Sequence, residues 1–199
     1  VWQCRRTTSV CEGLKAAGHE ALIKAKSGLV LDPYFSATKF KWLLDNAPQA
    51  KALMAEGRLL AGTIDTYLMW RLSNGKAHKT DVSNASRTSL MSLETLEWDD
   101  ELLDVFGVPR AILPQICPSS GRFTLTEAVP GLPDGLPVSG VAGDQQSALF
   151  GQACFDPGDA KCTFGTGSFI LINAGTAPIS SDSGLLSTVA WQLEGQDPV

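Results

Sequence analysis

Cysteine and histidine are sparse in this sequence, and their placement excludes two common scaffolds. Cys4, Cys11, Cys117, Cys154 and Cys162 are odd in number and widely scattered, no pair forms a C-x-x-C, and only His19 and His78 stand beside them. That pattern supports neither a disulfide framework nor a zinc site, and it reads as reduced thiols in a cytoplasmic protein. Basic charge is thin as well. Sixteen Lys and Arg against 21 Asp and Glu leave a formal charge of −5. No face then carries the clustered cations a phosphate backbone requires, and nucleic acid is excluded as a partner. The Arg5-Arg6 pair is too short to reverse this. No apolar run approaches the roughly 18 residues of a membrane-spanning helix. No signal peptide is expected, and the sequence holds no internal repeat or low-complexity segment. The first residue is Val1 rather than Met, and Val1-Trp2-Gln3-Cys4 reads like the interior of a strand, so the natural N-terminus is expected upstream.

Apolar residues make up 44% of the 199, enough to bury a sizeable core. A helix is expected from about Thr7 to Lys26, where Val10, Leu14, Ala17, Ala21 and Ile23 are roughly helically spaced, with Gly18 as an imperfection. A second, Ser36 to Asn46, has Ser36 as its cap and Phe40, Leu43 and Leu44 on one face. A third, Thr63 to Leu72, packs Ile64, Leu68, Met69 and Leu72 and ends at Asn74-Gly75. Trp98-Asp99-Asp100-Glu101 opens a short helix through Phe106, its acidic residues placed where the helix dipole favours them, and this cluster reads as a helix start rather than a metal site. Between Ile112 and Pro137, prolines at 114, 118, 130, 133 and 137, with Pro109 nearby, predict a long irregular connection. Leu136 to Gly143 then reads as a strand, Asp144 to Gly151 as a short helix, and Phe155 to Asp159 as a turn dividing domains. Cys162-Thr163-Phe164 and Ser168 to Ile172 form two apolar strands around a glycine turn, and a further strand is expected from Gly184 to Trp191.

Four strings have the residue types that chemistry needs. Val138-Ser139-Gly140-Val141-Ala142-Gly143-Asp144-Gln145 runs an apolar strand into glycine and delivers a carboxylate at a helix start. Crevices outside strand ends collect ligands in α/β proteins, and a carboxylate there can take a proton from a bound hydroxyl. A plain helix cap is the commoner explanation for Asp144 on spacing alone. Gly165-Thr166-Gly167-Ser168 lets backbone N–H groups approach an anion, although a tight hairpin turn explains it more simply. No Lys follows in the G-x-x-x-x-G-K-[ST] pattern, so a P-loop is not supported. Asp32-Pro33-Tyr34-Phe35-Ser36 places a phenol just before a helix, where a packing aromatic is the ordinary reading. Thr80 to Thr88 is a dense polar run that could bind a ligand or bond to itself as a loop, the loop being the favoured reading.

Taken in order, Val1-Trp2-Gln3-Cys4-Arg5-Arg6-Thr7, Asp32 to Ser36, Gly62-Thr63-Ile64-Asp65-Thr66-Tyr67-Leu68, Thr80 to Thr88, Gly143-Asp144-Gln145-Gln146 and Phe164-Gly165-Thr166-Gly167 resemble the FGGY carbohydrate kinases across essentially the whole chain. The resemblance implies an α/β fold of the actin and hexokinase (ribonuclease H-like) type, here partial. Residues 1–154 would be the later part of the first domain and 155–199 the start of the second. It implies phosphorylation of a polyol by ATP with Mg2+ in a cleft between the domains. The Trp-Gln-Cys-Arg-Arg-Thr and Asp-Pro-Tyr-Phe-Ser strings point to glycerol, giving sn-glycerol 3-phosphate, rather than to a pentose. A xylulokinase-like relative or a non-catalytic binding protein of the same fold is the alternative.

By that resemblance Asp144 is the general base. Tyr34, Asp144 and Gln145 hydrogen-bond the polyol, Trp2 and Phe169 pack on its carbon edge, and Thr166 with Gly165 and Gly167 binds the ATP phosphates. No protein-held metal site is implied, and the intact enzyme is expected to be a homo-oligomer. The family's first phosphate loop and an Arg-Glu pair for the polyol would lie upstream of Val1, and its adenine-binding glycines beyond Val199. The segment alone is therefore expected to show no kinase activity. Pro130 to Gly135 lacks the Gly-Gly-x-Arg pattern of the fructose bisphosphate site in some members, so inhibition by that compound is not expected. An apolar core cut across a domain junction should be left partly open.

Overall fold

A computed structural model describes residues 2–181 and 183–199. Val1, the first residue of the strand expected at the N-terminus, lies outside the described residues, and Trp2-Gln3 forms a turn rather than strand. The first helical segment is divided in two, α1 (Thr8–Ala16) and α2 (Glu20–Ser27). Gly18 is the cause. It takes φ +85°, a left-handed conformation that no helix interior contains and that glycine adopts without steric cost.

α3 (Ala37–Asn46) and α4 (Ala50–Ala55) follow, then α5 (Ile64–Leu72). α5 exists where expected but turns a different face inward. Asp65, Thr66 and Met69 are buried, whereas Ile64 and Leu68 are exposed. The Asp65 carboxylate accepts hydrogen bonds from the Thr63 and Thr80 hydroxyls, which is how a polar face can be the buried one. Burial pushes the Asp65 carboxyl above its ordinary range, and those two hydroxyls partly offset the effect.

The run Thr80 to Thr88 is not a loop. It holds the end of β1 (Lys79–Asp81) and the short α6 (Val82–Ala85). Asp81, fully buried, caps that helix by accepting from the Ser83 and Asn84 N–H groups at 3.0 Å, and it also accepts from the Ser119 hydroxyl at 2.7 Å. α7 (Asp100–Phe106) begins where the acidic cluster predicts, with Asp99 as its capping residue. Next come β2 (Gln115–Cys117), β3 (Ser120–Leu125) and β4 (Pro137–Gly140). The proline-rich connection therefore contains two strands. β2 pairs in parallel with β1, Thr80 opposite Ile116, and β3 pairs antiparallel with β4. Both partners are distant in sequence, so neither ladder announces itself in local periodicity.

α8 (Asp144–Gly151) leads to the hairpin of β5 (Ala160–Phe164) and β6 (Ser168–Ile172), paired antiparallel with Phe164 opposite Ser168. The expected strand from Gly184 to Trp191 is absent among the described residues. That segment runs without a ladder, and Val189, Ala190 and Trp191 are buried by side-chain packing. Trp191 meets Phe150 edge to face with ring centroids 5.2 Å apart. The main core gathers Ile23, Leu31, Val82, Leu90, Leu102 and Phe106 around Trp98, whose indole donates to the Pro114 carbonyl at 2.7 Å. One face of the β5–β6 hairpin stays bare, with Phe164 83% and Ile170 69% exposed.

Lys26 clamps the start of α7, donating to Asp99 and Glu101 at 2.8 Å. Burial pushes the Asp99 carboxyl up, but the Lys26 ammonium and the Leu102 N–H outweigh it and hold the group below the ordinary carboxylate range. A depressed folded value contributes stability above the unfolded value of about 3.9, and that contribution is lost as pH falls through the folded one. Asp99→Asn, which keeps a capping oxygen and removes the charge, is expected to cost about 1 kcal/mol at neutral pH. The gap should narrow toward zero as urea titrations are repeated below about pH 4. A gap independent of pH would remove the ion pair from the account.

Candidate active site

The described residues enclose an open cleft of about 2410 Å³, and the expected polyol ligands Trp2, Tyr34, Asp144, Gln145 and Phe169 all line it. Each is placed by a local device. Asp32 accepts the Tyr34 N–H at 2.7 Å in an Asx turn, and Arg5 braces the same carboxylate at 3.1 Å. The turn holds Tyr34 half-buried against two rings, Trp2 at 5.8 Å between centroids and Phe35 at 5.1 Å. Tyr34 is thus both a packing aromatic and a wall of the cleft.

Asp144 does not cap its helix. Gly143 occupies the cap position with extended backbone, and no side chain there bonds the first turn. Asp144 is the first helical residue and is exposed, its Oδ1 accepting only the Gln145 N–H, at 2.8 Å. The helix dipole favours a carboxylate at that position. Gly143 is tied down by its N–H, which donates to the Ser83 hydroxyl at 2.8 Å. A Cβ on Gly143 would lie 2.5 Å from the amide oxygen of buried Gln146, so a larger residue there would have to displace that side chain.

The Gly165-Thr166-Gly167 turn is the exposed tip of the β5–β6 hairpin and does not line the cleft. Neither glycine takes a positive φ, so conformational freedom is not their use. Gly167 is needed for space, because an added Cβ would sit 3.1 Å from the Phe169 ring. Gly165 spends its N–H on the Gly167 carbonyl at 3.1 Å. Among the described residues Thr166 has no hydrogen-bond partner, which leaves its hydroxyl and N–H open to an anion.

Two cations escaped the sequence reading. Arg87 follows α6 and lines the cleft, its guanidinium 5.1 Å from the centre of the Phe35 ring. Burial lowers its pKa, opposed by Tyr34 and Asp144, and an arginine remains a cation under such a shift. Lys161 on β5 is 2% exposed and donates to Gln145 Oε1 and, at 2.8 Å, to the Thr163 hydroxyl. Burial lowers its pKa and the nearby Asp144 partly offsets this. Arg87 sat inside the polar run read as a loop. Lys161 left only one signal, a cation at an inward position of an alternating strand. Among the described residues no three His, Cys, Asp or Glu side chains gather as a metal site.

Fold and cleft define an α/β protein that presents a carboxylate to ligand space at a strand-to-helix turn. The chain belongs to the FGGY family of carbohydrate kinases: the model of that family's N-terminal domain matches residues 1–151. It is 57% identical over 197 residues to a glycerol kinase of Bdellovibrio bacteriovorus, covering 99% of this chain and 40% of the relative. The chain thus spans about 40% of the length of the curated relatives it matches. A crystal structure of Plasmodium falciparum glycerol kinase with ADP superposes with a TM-score of 0.93 at 38% identity, over all of this chain and 40% of that one. Gluconate kinase from Lactobacillus acidophilus shares the fold, with a TM-score of 0.73 at 23% identity over 85% of this chain and 34% of its own. The architecture is the actin and hexokinase-like kinase fold in part. No helix among the described residues is long and apolar enough to cross a membrane.

Proposed function

We propose that this chain is part of an ATP-dependent glycerol kinase that converts glycerol to sn-glycerol 3-phosphate. The observation that carries the reading is Asp144, an exposed carboxylate at the start of α8, sharing one cleft with the aromatic pair Trp2 and Tyr34. Glycerol has three hydroxyls and little apolar surface, so a few fixed polar groups must orient it against an aromatic wall. Asp144 accepts the proton of the attacking hydroxyl. The glycerol oxygen forms its bond to the γ-phosphorus as the bond to the bridging oxygen breaks, and ADP leaves with that electron pair.

Tyr34 and Gln145 hold the polyol, and Trp2 and Phe169 cover its carbon edge. Thr166, with the backbone at Gly165 and Gly167, meets the nucleotide phosphates. Such a site needs positioning more than covalent chemistry. Mg2+ neutralises phosphate charge when bound. Among the described residues no cluster of His, Cys, Asp or Glu gathers to hold it. Residues 1–154 act as the later part of the first domain and 155–199 as the start of the second, in a cytoplasmic enzyme. Since the hairpin tip stands outside the cleft, closure between the domains is what would bring Thr166 to the phosphates.

The test is substrate preference in the intact enzyme carrying this segment. A kcat/KM for glycerol at least about a hundredfold above that for xylulose is expected, because a site built to hydrogen-bond particular hydroxyls rejects the wrong set strongly. A preference for xylulose would overturn the assignment.

A further inference from the structure

Gln145 is read above as a ligand of the polyol, and the following rests on that reading. A glutamine amide can present either its carbonyl oxygen or its NH2 group to a ligand, and the two ends are nearly alike in shape. A lysine ammonium has only hydrogens to give. Lys161 on β5 makes its contact with Gln145 Oε1 on α8, which fixes the oxygen toward the lysine. The NH2 end is then the one left toward Asp144, whose Oδ2 lies 3.5 Å from Nε2.

We propose that Lys161 is a positioning residue that locks the Gln145 amide with its NH2 group toward the polyol. Gln145 and Asp144 then offer one hydroxyl a donor and an acceptor side by side. The donor meets the hydroxyl oxygen, and the carboxylate meets its proton. A flipped amide would place two acceptors there and leave the hydroxyl oxygen without a partner.

Lys161 is itself held for this task. It is 2% exposed, and the Thr163 hydroxyl two residues along the same strand accepts from it at 2.8 Å. In the hairpin register Lys161 stands opposite Leu171 and Thr163 opposite Phe169, so the face that carries the lysine is the one that brings Phe169 to the cleft. A buried cation at this place is costly unless its hydrogens are used. That cost is what lowers its pKa.

The experiment uses the intact kinase with three variants, each assayed for KM of glycerol and kcat after its fold is checked by circular dichroism. Gln145→Ala is expected to raise KM about tenfold or more. Lys161→Met is expected to raise KM for glycerol several-fold with kcat within about threefold, and to add nothing further in the Gln145→Ala background. Gln145→Glu keeps a partner for Lys161 and folds whatever becomes of the methionine variant, yet it has no hydrogen to donate, so its KM should rise about tenfold or more.

If Gln145→Ala leaves KM unchanged, the reading of Gln145 as a polyol ligand fails and the proposal with it. If Gln145→Ala raises KM while Lys161→Met does not, only the role of Lys161 is overturned. A Lys161→Met variant that loses kcat at unchanged KM would assign the lysine to the phosphoryl group instead. Gln145→Glu with unchanged or lower KM would show that the carbonyl end meets the polyol, and would likewise overturn the proposal.

Discussion

Asp144→Asn in the intact enzyme is expected to lower kcat by about 10² to 10⁴ while leaving the fold and the KM for glycerol nearly unchanged. Removing a general base removes an interaction made as the proton moves, so the loss should appear in kcat rather than in ground-state binding. The substitution is conservative in every other respect. Asp144 is exposed, and its hydrogen bonds run only to Gln145, from N at 2.8 Å and from Nε2 at 3.5 Å. An asparagine keeps an acceptor for the Gln145 N–H, the shorter of the two bonds, and gives up only the 3.5 Å one. Gly143 rather than Asp144 caps α8, so the helix start survives as well. Thermal unfolding of the variant should stay within about 0.5 kcal/mol of the parent, as for surface changes in general. Turnover within a few-fold of the parent would show that the base is another group.

The largest loss of stability is expected at Gly28. This residue ends α2 with φ 71° and ψ 1°, the left-handed conformation that closes many helices. Here conformation is only half of the demand. An added Cβ would stand 2.4 Å from the Ser187 carbonyl oxygen and 2.6 Å from Leu93 Cδ1. The close approach is mutual, because the Ser187 N–H donates to the Gly28 carbonyl at 3.1 Å. That backbone bond, with Val189 packed in the main core, ties down the 185–189 stretch, which has no ladder of its own.

Gly28→Ala must therefore strain the backbone and push the stretch away, at a cost of about 2–4 kcal/mol. A fall in Tm of roughly 5 to 15 °C should follow. Gly57 provides the comparison. It also takes a left-handed φ, of 65°, but a Cβ there would meet nothing within 4 Å, so Gly57→Ala should cost only about 1 kcal/mol. Equal losses at the two sites would show that backbone conformation alone sets the cost. Leu185, Leu186 and Ser187 line the cleft, so the same change should also raise KM for glycerol.

What could be read from the sequence follows the range of the interactions. α3, α7, α8 and the β5–β6 hairpin come from spacing and turn residues within a few positions and fall where expected, although Ser36, expected to cap α3, makes no side-chain capping bond and only Asp99 of α7 does. β2 and β3 were hidden among prolines because their partners are distant: Thr80 for Ile116 and Val138 for Thr124. The run from Gly184 to Trp191 failed in the opposite sense. Its apolar residues look like a strand, but burial against Phe150 and the main core, rather than pairing, is what they were selected for in space. On α5 the error was one of face. A buried carboxylate satisfied by Thr63 and Thr80 displaced the apolar residues that periodicity assigns inward.

The cleft divides differently. Trp2, Tyr34, Asp144, Gln145 and Phe169, which all line the cleft, were named through the family resemblance rather than from local pattern. Arg87 and Lys161 were not named, because a lone cation in a polar run or a short strand has no pattern until its neighbours are in place.

By itself the sequence determined the family, through motifs spread along the chain, and α3, α7, the hairpin and a carboxylate delivered at a strand-to-helix turn, through contacts close along it. The tertiary structure alone decided that Asp144 is the first exposed residue of its helix rather than a cap, that Trp2 and Tyr34 meet, and that a buried lysine holds the neighbouring amide. The last two depend on groups 16 or more positions apart, as for Lys161 and Gln145. Packing and desolvation choose such partners only after the chain has folded.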